Sequence, residues 1–167
     1  MNTLEWSDAL SLDLPQMDDT HREFVDQLAA VQAAPDAQLA GAWRALIEHT
    51  EAHFGQEDRW MRDTRFASGN CHATQHLVVL KVMREGEDAA RAGQLDVIRL
   101  MAHELAAWFP QHAQSMDAAL ALHLRRVGYD VATGVVLMPQ ALPVEEIRGC
   151  AGASCSTPAE QPAHAAA

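Results

Sequence analysis

The chain has 167 residues, 49% of them hydrophobic, which is enough for one ordinary domain with a real core and a tail. Its 12 Lys and Arg stand against 23 Asp and Glu, a formal net charge of -11, which argues against nucleic acid or an anionic membrane surface as partner. No stretch approaches the roughly 20 apolar residues of a membrane span, the first 19 residues lack a secretory pattern, and three cysteines fit a reducing compartment better than a disulfide framework. The expectation is a soluble, cytoplasmic protein.

Residues 1–17 carry Trp6, Leu10, Leu12, Leu14, Pro15 and Met17 without a sustained helical period, which predicts an extended arm laid on the domain. Asp18 or Asp19 is then placed to cap a first helix. In that helix Met17, His21, Phe24, Val25, Leu28 and Val31 recur at spacings of three and four, until Ala33-Ala34-Pro35-Asp36 stops the pattern. A second helix, about Ala37 to Arg62, turns Leu39, Trp43, Leu46, Ile47, Thr50, His53, Phe54, Glu57, Trp60 and Met61 inward. Ser68-Gly69-Asn70 breaks the periodicity, and Asn70 suits the cap of a third helix whose stripe reads His72, His76, Val79, Leu80 and Met83. Gly93 separates it from a fourth, with Ile98, Met101, Leu105, Trp108, His112, Ser115, Met116, Ala119 and Leu120 on its stripe and its end near Gly128.

Long helices with short joins predict an all-α, up-down-up-down four-helix bundle over residues 1–127, with an N-terminal extended arm. Residues 128–167 read as an irregular, partly disordered tail whose chemical feature is the pair Cys150 and Cys155.

His21, His53, Glu57, His72, His76, His112 and Asp117 all lie on these apolar stripes, where an unpartnered polar group costs several kcal/mol. The antiparallel order brings all of them to one end of the bundle. His53/Glu57 and His72/His76 are four residues apart and share a helical face. His112 and Asp117 are five apart, roughly 140° on an ideal helix. Either Asp117 reaches in from a flank, or the helix carries a local π-type turn. Five imidazoles and two carboxylates form a ligand set for two metal ions. Neither the His-Glu-x-x-His of zinc hydrolases nor the Glu-x-x-His of carboxylate-rich di-iron enzymes occurs in the chain.

Asp18-x-x-His21, the run His53-Phe54-x-x-Glu57-Asp58-x-x-Met61, His72-x3-His76 and Trp108-x3-His112-x4-Asp117 together resemble the hemerythrin family over roughly residues 6–125. The resemblance implies two iron ions in a non-haem, oxo- or hydroxo-bridged pair. His72, His76 and His112 would ligate one iron, His21 and His53 the other, and Glu57 and Asp117 would bridge them. One coordination position stays open on the second iron, and the implied function is reversible binding of dioxygen for storage, carriage or sensing. An unidentified protein acceptor of oxygen would be a further partner. Imidazole-rich ligation favours this binding role over an enzymatic one. The alternatives are a di-iron enzyme consuming peroxide or nitric oxide, and an iron- or redox-sensing module.

Two positions depart from the family pattern. Ala113 and Phe109 stand where aliphatic residues are usual, and Pro110 between them can kink the helix, which leaves open the shape of the oxygen pocket. His49, one turn before His53, reads as a hydrogen-bonded or solvated bystander. His103, His123 and His164 have no partner spacing and are assigned no role.

Overall fold

Pro15 sets the start of the first helix. Its ring fixes φ and it has no N–H to satisfy, so it suits the first turn, and α1 runs Pro15–Ala33 behind an extended Leu14. The computed structural model describes residues 3–66 and 71–147. After α1 come α2 (Asp36–Asp63), α3 (Cys71–Arg91) and a fourth long helix in three continuous pieces: α4 (Leu95–His112), a π-helical turn (Ala113–Asp117) and α5 (Ala118–Val127). Extended backbone at Ala34 and Pro35 makes the first join. Gly93 at φ 79° turns the chain between α3 and α4, and Gly128 at φ 61° ends α5 in the left-handed region where glycine carries no Cβ penalty. Each helix packs on its chain neighbour and α1 closes the ring against α4, giving the expected all-α four-helix bundle.

Because α1 begins at Pro15, neither Asp18 nor Asp19 is its cap, contrary to the expectation from sequence. Asp18 has another use. Its buried carboxylate accepts hydrogen bonds from Ser11 Oγ at 2.7 Å and Leu12 N at 2.8 Å, tying the arm to the first turn of α1. The proposed Asn70 cap lies outside the described residues.

The inward face of α2 is the one its periodicity predicts, residue for residue. The face of α4 is turned by about one residue: Ala102, Leu105, Ala106 and Phe109 are buried, whereas Met101 and Trp108 are half-buried and Ser115 is exposed. Asp96, Arg99, His103 and Glu104 make one exposed polar face of this helix, and the apolar residues opposite span about half its circumference, so periodicity leaves the inward direction uncertain by about one residue. The small Ala102 and Ala106 are the ones that allow close approach.

Two apolar cores stack along the bundle. The larger contains Phe24, Leu28, Leu39, Trp43, Leu46, Met83, Ile98 and Phe109, and its Trp43 indole N–H is satisfied by the Met83 carbonyl at 2.9 Å. The smaller contains Met17, Trp60, Met61, Phe66, Leu120, Leu124, Val127 and Tyr129. Along α1, α2 and the fourth helix, the polar ligand candidates fall between these two cores.

Beyond Gly128 the chain is laid on the smaller core. Tyr129–Asp130 pairs antiparallel with Val135–Val136, and the Tyr129 hydroxyl donates to Asp63 Oδ2 at 2.6 Å. Val131, Val136, Leu142 and Ile147 pack beside it. Among the described residues, no helix is long and apolar enough to cross a membrane.

Candidate metal centre

The α-helical spacing of four delivers the first pairs. His53 and Glu57 project from one face of α2, with His53 Nε2 2.8 Å from Glu57 Oε1, and His72 and His76 project from the first turns of α3. His21 enters from α1 and His112 from the end of α4. The π-helical turn Ala113–Asp117 decides the open question of Asp117. Its i→i+5 closure takes an additional residue per turn, which brings residues five apart round to one face. Pro110 stands three residues before this turn and removes a hydrogen bond from the α4 ladder, loosening the helix where it widens. All seven side chains are buried.

Each carboxylate divides its two oxygens between two groups of histidines. Glu57 Oε1 faces His53 at 2.8 Å and His21 at 3.7 Å, while Oε2 faces His72 at 3.3 Å and His76 at 3.4 Å. Asp117 Oδ2 faces His21 at 3.2 Å, while Oδ1 faces His72 at 3.0 Å and His112 at 3.1 Å. Two donors each about 2.1 Å from one metal, at a right angle, are about 3 Å apart. The separations therefore suit donors that share an ion. Two overlapping sets result: Glu57, His72, His76, His112 and Asp117 on one side, and His21, His53 and Glu57 on the other.

Orphaned polar atoms make the same point. Nε2 of His21, His72, His76 and His112, Oε2 of Glu57 and both Asp117 oxygens are buried without a hydrogen-bond partner among the described residues. Such a layer is costly unless cations satisfy it, and an imidazole and carboxylate donor set suits first-row transition metals. The residues present fit a metal pair.

The electrostatics follow from the same packing. Burial pushes the His21 and His72 imidazoles down, but the Asp117 and Glu57 carboxylates more than offset this and raise their pKa values to about 9 and about 10. Burial disfavours the charged form of Glu57, yet His53, His21 and His72 hold it well below the usual carboxylate range. Asp117 is held low in the same way by His112 and His21, against its burial and the nearby Glu57 charge.

Behind the ligand candidates stands a second set of contacts, which the sequence reading did not assign. His76 Nδ1 lies 3.0 Å from Asp58 Oδ1, and His112 Nδ1 lies 3.1 Å from Gln75 Oε1. Asp58 belongs to the motif run, but Gln75 has no spacing signal at all. Phe109 is fully buried, meets His21 edge-on with centroids 5.2 Å apart and stacks on Phe24 at 4.5 Å. Trp108 stacks on His112 at 4.4 Å.

The pattern described as the Hemerythrin HHE cation binding domain matches residues 13–122. The chain belongs to the hemerythrin family. It is 36% identical over 130 residues to a Bacteriohemerythrin of Ralstonia nicotianae, covering 78% of this chain and 95% of that protein. A Bacteriohemerythrin of Stenotrophomonas maltophilia is 26% identical over 127 residues, covering 72% and 81%. One of Pseudomonas paraeruginosa is 25% identical over 122 residues, covering 71% and 79%. No solved structure matches the chain significantly. Hemerythrin-family membership and the buried His, Glu and Asp cluster together make this a domain able to hold non-haem iron.

The remaining histidines stand apart from the cluster. His49 Nε2 contacts the Thr20 carbonyl at 3.2 Å, as befits a hydrogen-bonded bystander, and its pKa is lowered by burial and the neighbouring His53. His123 Nε2 contacts the Thr64 carbonyl at 2.9 Å, and His103 is exposed. Cys71, beside His72, is disulfide-bonded, where the odd cysteine count favours reduced thiols. Cys150, Cys155 and His164 lie outside the described residues.

Proposed function

We propose that this hemerythrin-family chain binds dioxygen reversibly at a di-iron centre, as a store, carrier or sensor. The observation that carries the reading is the division of Glu57 and Asp117 between three histidines on one side and two on the other. His72, His76 and His112 would hold one iron and His21 and His53 the other, with both carboxylates bridging. Bound there, an iron pair supplies two electrons and one open coordination position to dioxygen.

With unequal histidine counts, that position would fall on the side of His21 and His53. Phe109 and Phe24 form an apolar wall against this side, so water and small anions are kept from it. Neutral imidazoles outnumber carboxylates, which leaves positive charge on the centre and disfavours its full oxidation. These features support binding over turnover.

The experiment is metal analysis joined to visible absorbance while oxygen is cycled. Two irons per chain and a band that appears and disappears with oxygen are the expected result. A single zinc, or no iron after expression with ample iron, would overturn the assignment; steady consumption of peroxide or nitric oxide with a reductant would replace binding by catalysis.

A further inference from the structure

A histidine that offers Nε2 to a metal must keep its proton on Nδ1, and the group facing Nδ1 sets its orientation and basicity. On the three-histidine side that group differs from ring to ring. His76 Nδ1 faces the Asp58 carboxylate at 3.0 Å, whereas His112 Nδ1 faces the side-chain oxygen of Gln75 at 3.1 Å. The same Gln75 Oε1 also accepts the Trp108 indole N–H at 3.3 Å.

An indole nitrogen is a donor only, so the Trp108 contact fixes which end of the amide points inward: the oxygen, not the NH2. With an acceptor so placed, the His112 Nδ1 carries the proton and its Nε2 is left for the centre, 3.1 Å from Asp117 Oδ1. The indole and imidazole rings lie nearly face to face, 4.4 Å apart and 29° from parallel. One oxygen from α3 thus ties two consecutive inward turns of α4.

We propose that Gln75 is a positioning residue of the metal centre, its Oε1 holding His112 as the Nδ1–H tautomer and locking Trp108 against it as one unit. This role rests on the di-iron reading above. Being neutral, the amide orients His112 without the added basicity that a carboxylate gives, so His112 donates less charge than the Asp58-backed His76.

The test compares Gln75→Leu, which keeps the bulk but has no acceptor, with Gln75→Glu, which keeps an acceptor and adds charge. Iron affinity, the reduction potential of the iron-loaded protein, and hydrogen exchange of the Trp108 indole in the metal-free protein are measured. Gln75→Leu should weaken iron binding about 10–100-fold, the range for loss of such a supporting contact, and should speed exchange at the indole. Gln75→Glu should restore the affinity and lower the potential. Wild-type affinity and exchange in Gln75→Leu would overturn the role, and so would a wild-type potential in Gln75→Glu, which decides the matter if the leucine variant does not fold. Wild-type protein that takes up no iron under the same loading would overturn the di-iron reading and this role with it. Iron in the wild type beside unmoved variants removes the role of Gln75 alone.

Discussion

On one side of Glu57 and Asp117 stand three imidazoles, two of them braced through Nδ1 by Asp58 and Gln75. On the other stand His21 and His53, whose Nδ1 atoms have no hydrogen-bond partner among the described residues and whose surroundings include the apolar rings of Phe109 and Phe24. The two sides are made of the same residue types and differ in what backs them. Polar bracing fixes ligand direction and basicity on the three-histidine side. Apolar rings on the other would, on the proposed di-iron reading, control what small molecule gets in. On the proposed reading, a site that holds metal and still admits one ligand uses both kinds of support, although aromatic rings also pack on the braced side, where Phe54 stacks on His76 at 3.9 Å and Trp108 on His112 at 4.4 Å.

The largest break in this comparison comes from removing what the two sides share. Glu57→Ala and Asp117→Ala are each expected to weaken iron binding on both sides, with affinity falling at least about tenfold, since even loss of a supporting contact costs that much. His49→Ala, one turn away but outside the cluster, should retain its iron. Equal iron content in all three variants, read by elemental analysis, would remove the bridging roles.

Phe109 tests the apolar side alone. Phe109→Ala should cost about 3–5 kcal/mol of stability, as large core truncations do, and should shorten the lifetime of the oxygen-dependent absorbance because water reaches the two-histidine side. Ala113 is fully buried, so Ala113→Ile overpacks the core at a cost of about 1–3 kcal/mol. An unchanged absorbance lifetime in iron-loaded Phe109→Ala would show that the ring does not guard that side.

The smallest effect is carried by protons held on both sides at once. In the metal-free protein His21 is raised to about 9 and His72 to about 10, one histidine on each side. A raised pKa contributes stability that is whole below the ordinary histidine value of 6.5 and is lost as pH climbs through about 9 and about 10. Glu57 and Asp117, held low, contribute stability above their ordinary values of 4.5 and 3.8 that is lost in acid. Metal-free protein should therefore be most stable to urea between about pH 4.5 and 6.5 and weaken toward pH 10. Loading iron at pH 7 should release about two protons per chain. A stability that rises from pH 6 to 9, or uptake without proton release, would contradict the pairing.

Helical periodicity is a local property, and whatever depended on it was legible in the sequence. The α2 stripe, the pairs His53/Glu57 and His72/His76, and the gathering of all seven ligand candidates at one level of the bundle follow from 3.6 residues per turn and short joins, whereas the smaller core beyond that level came from packing. The tertiary structure decided what local spacing leaves degenerate. An ideal helix cannot bring His112 and Asp117 to one face, and the π-helical turn Ala113–Asp117 does so. With an apolar face about half its circumference wide, α4 takes its precise inward direction from packing against its neighbours, which put Phe109 inside and Trp108 at the edge. Gln75 is a polar residue on a helix with nothing in its spacing to mark it. Its contact with His112, 37 residues further along the chain, exists only because α3 and α4 lie side by side.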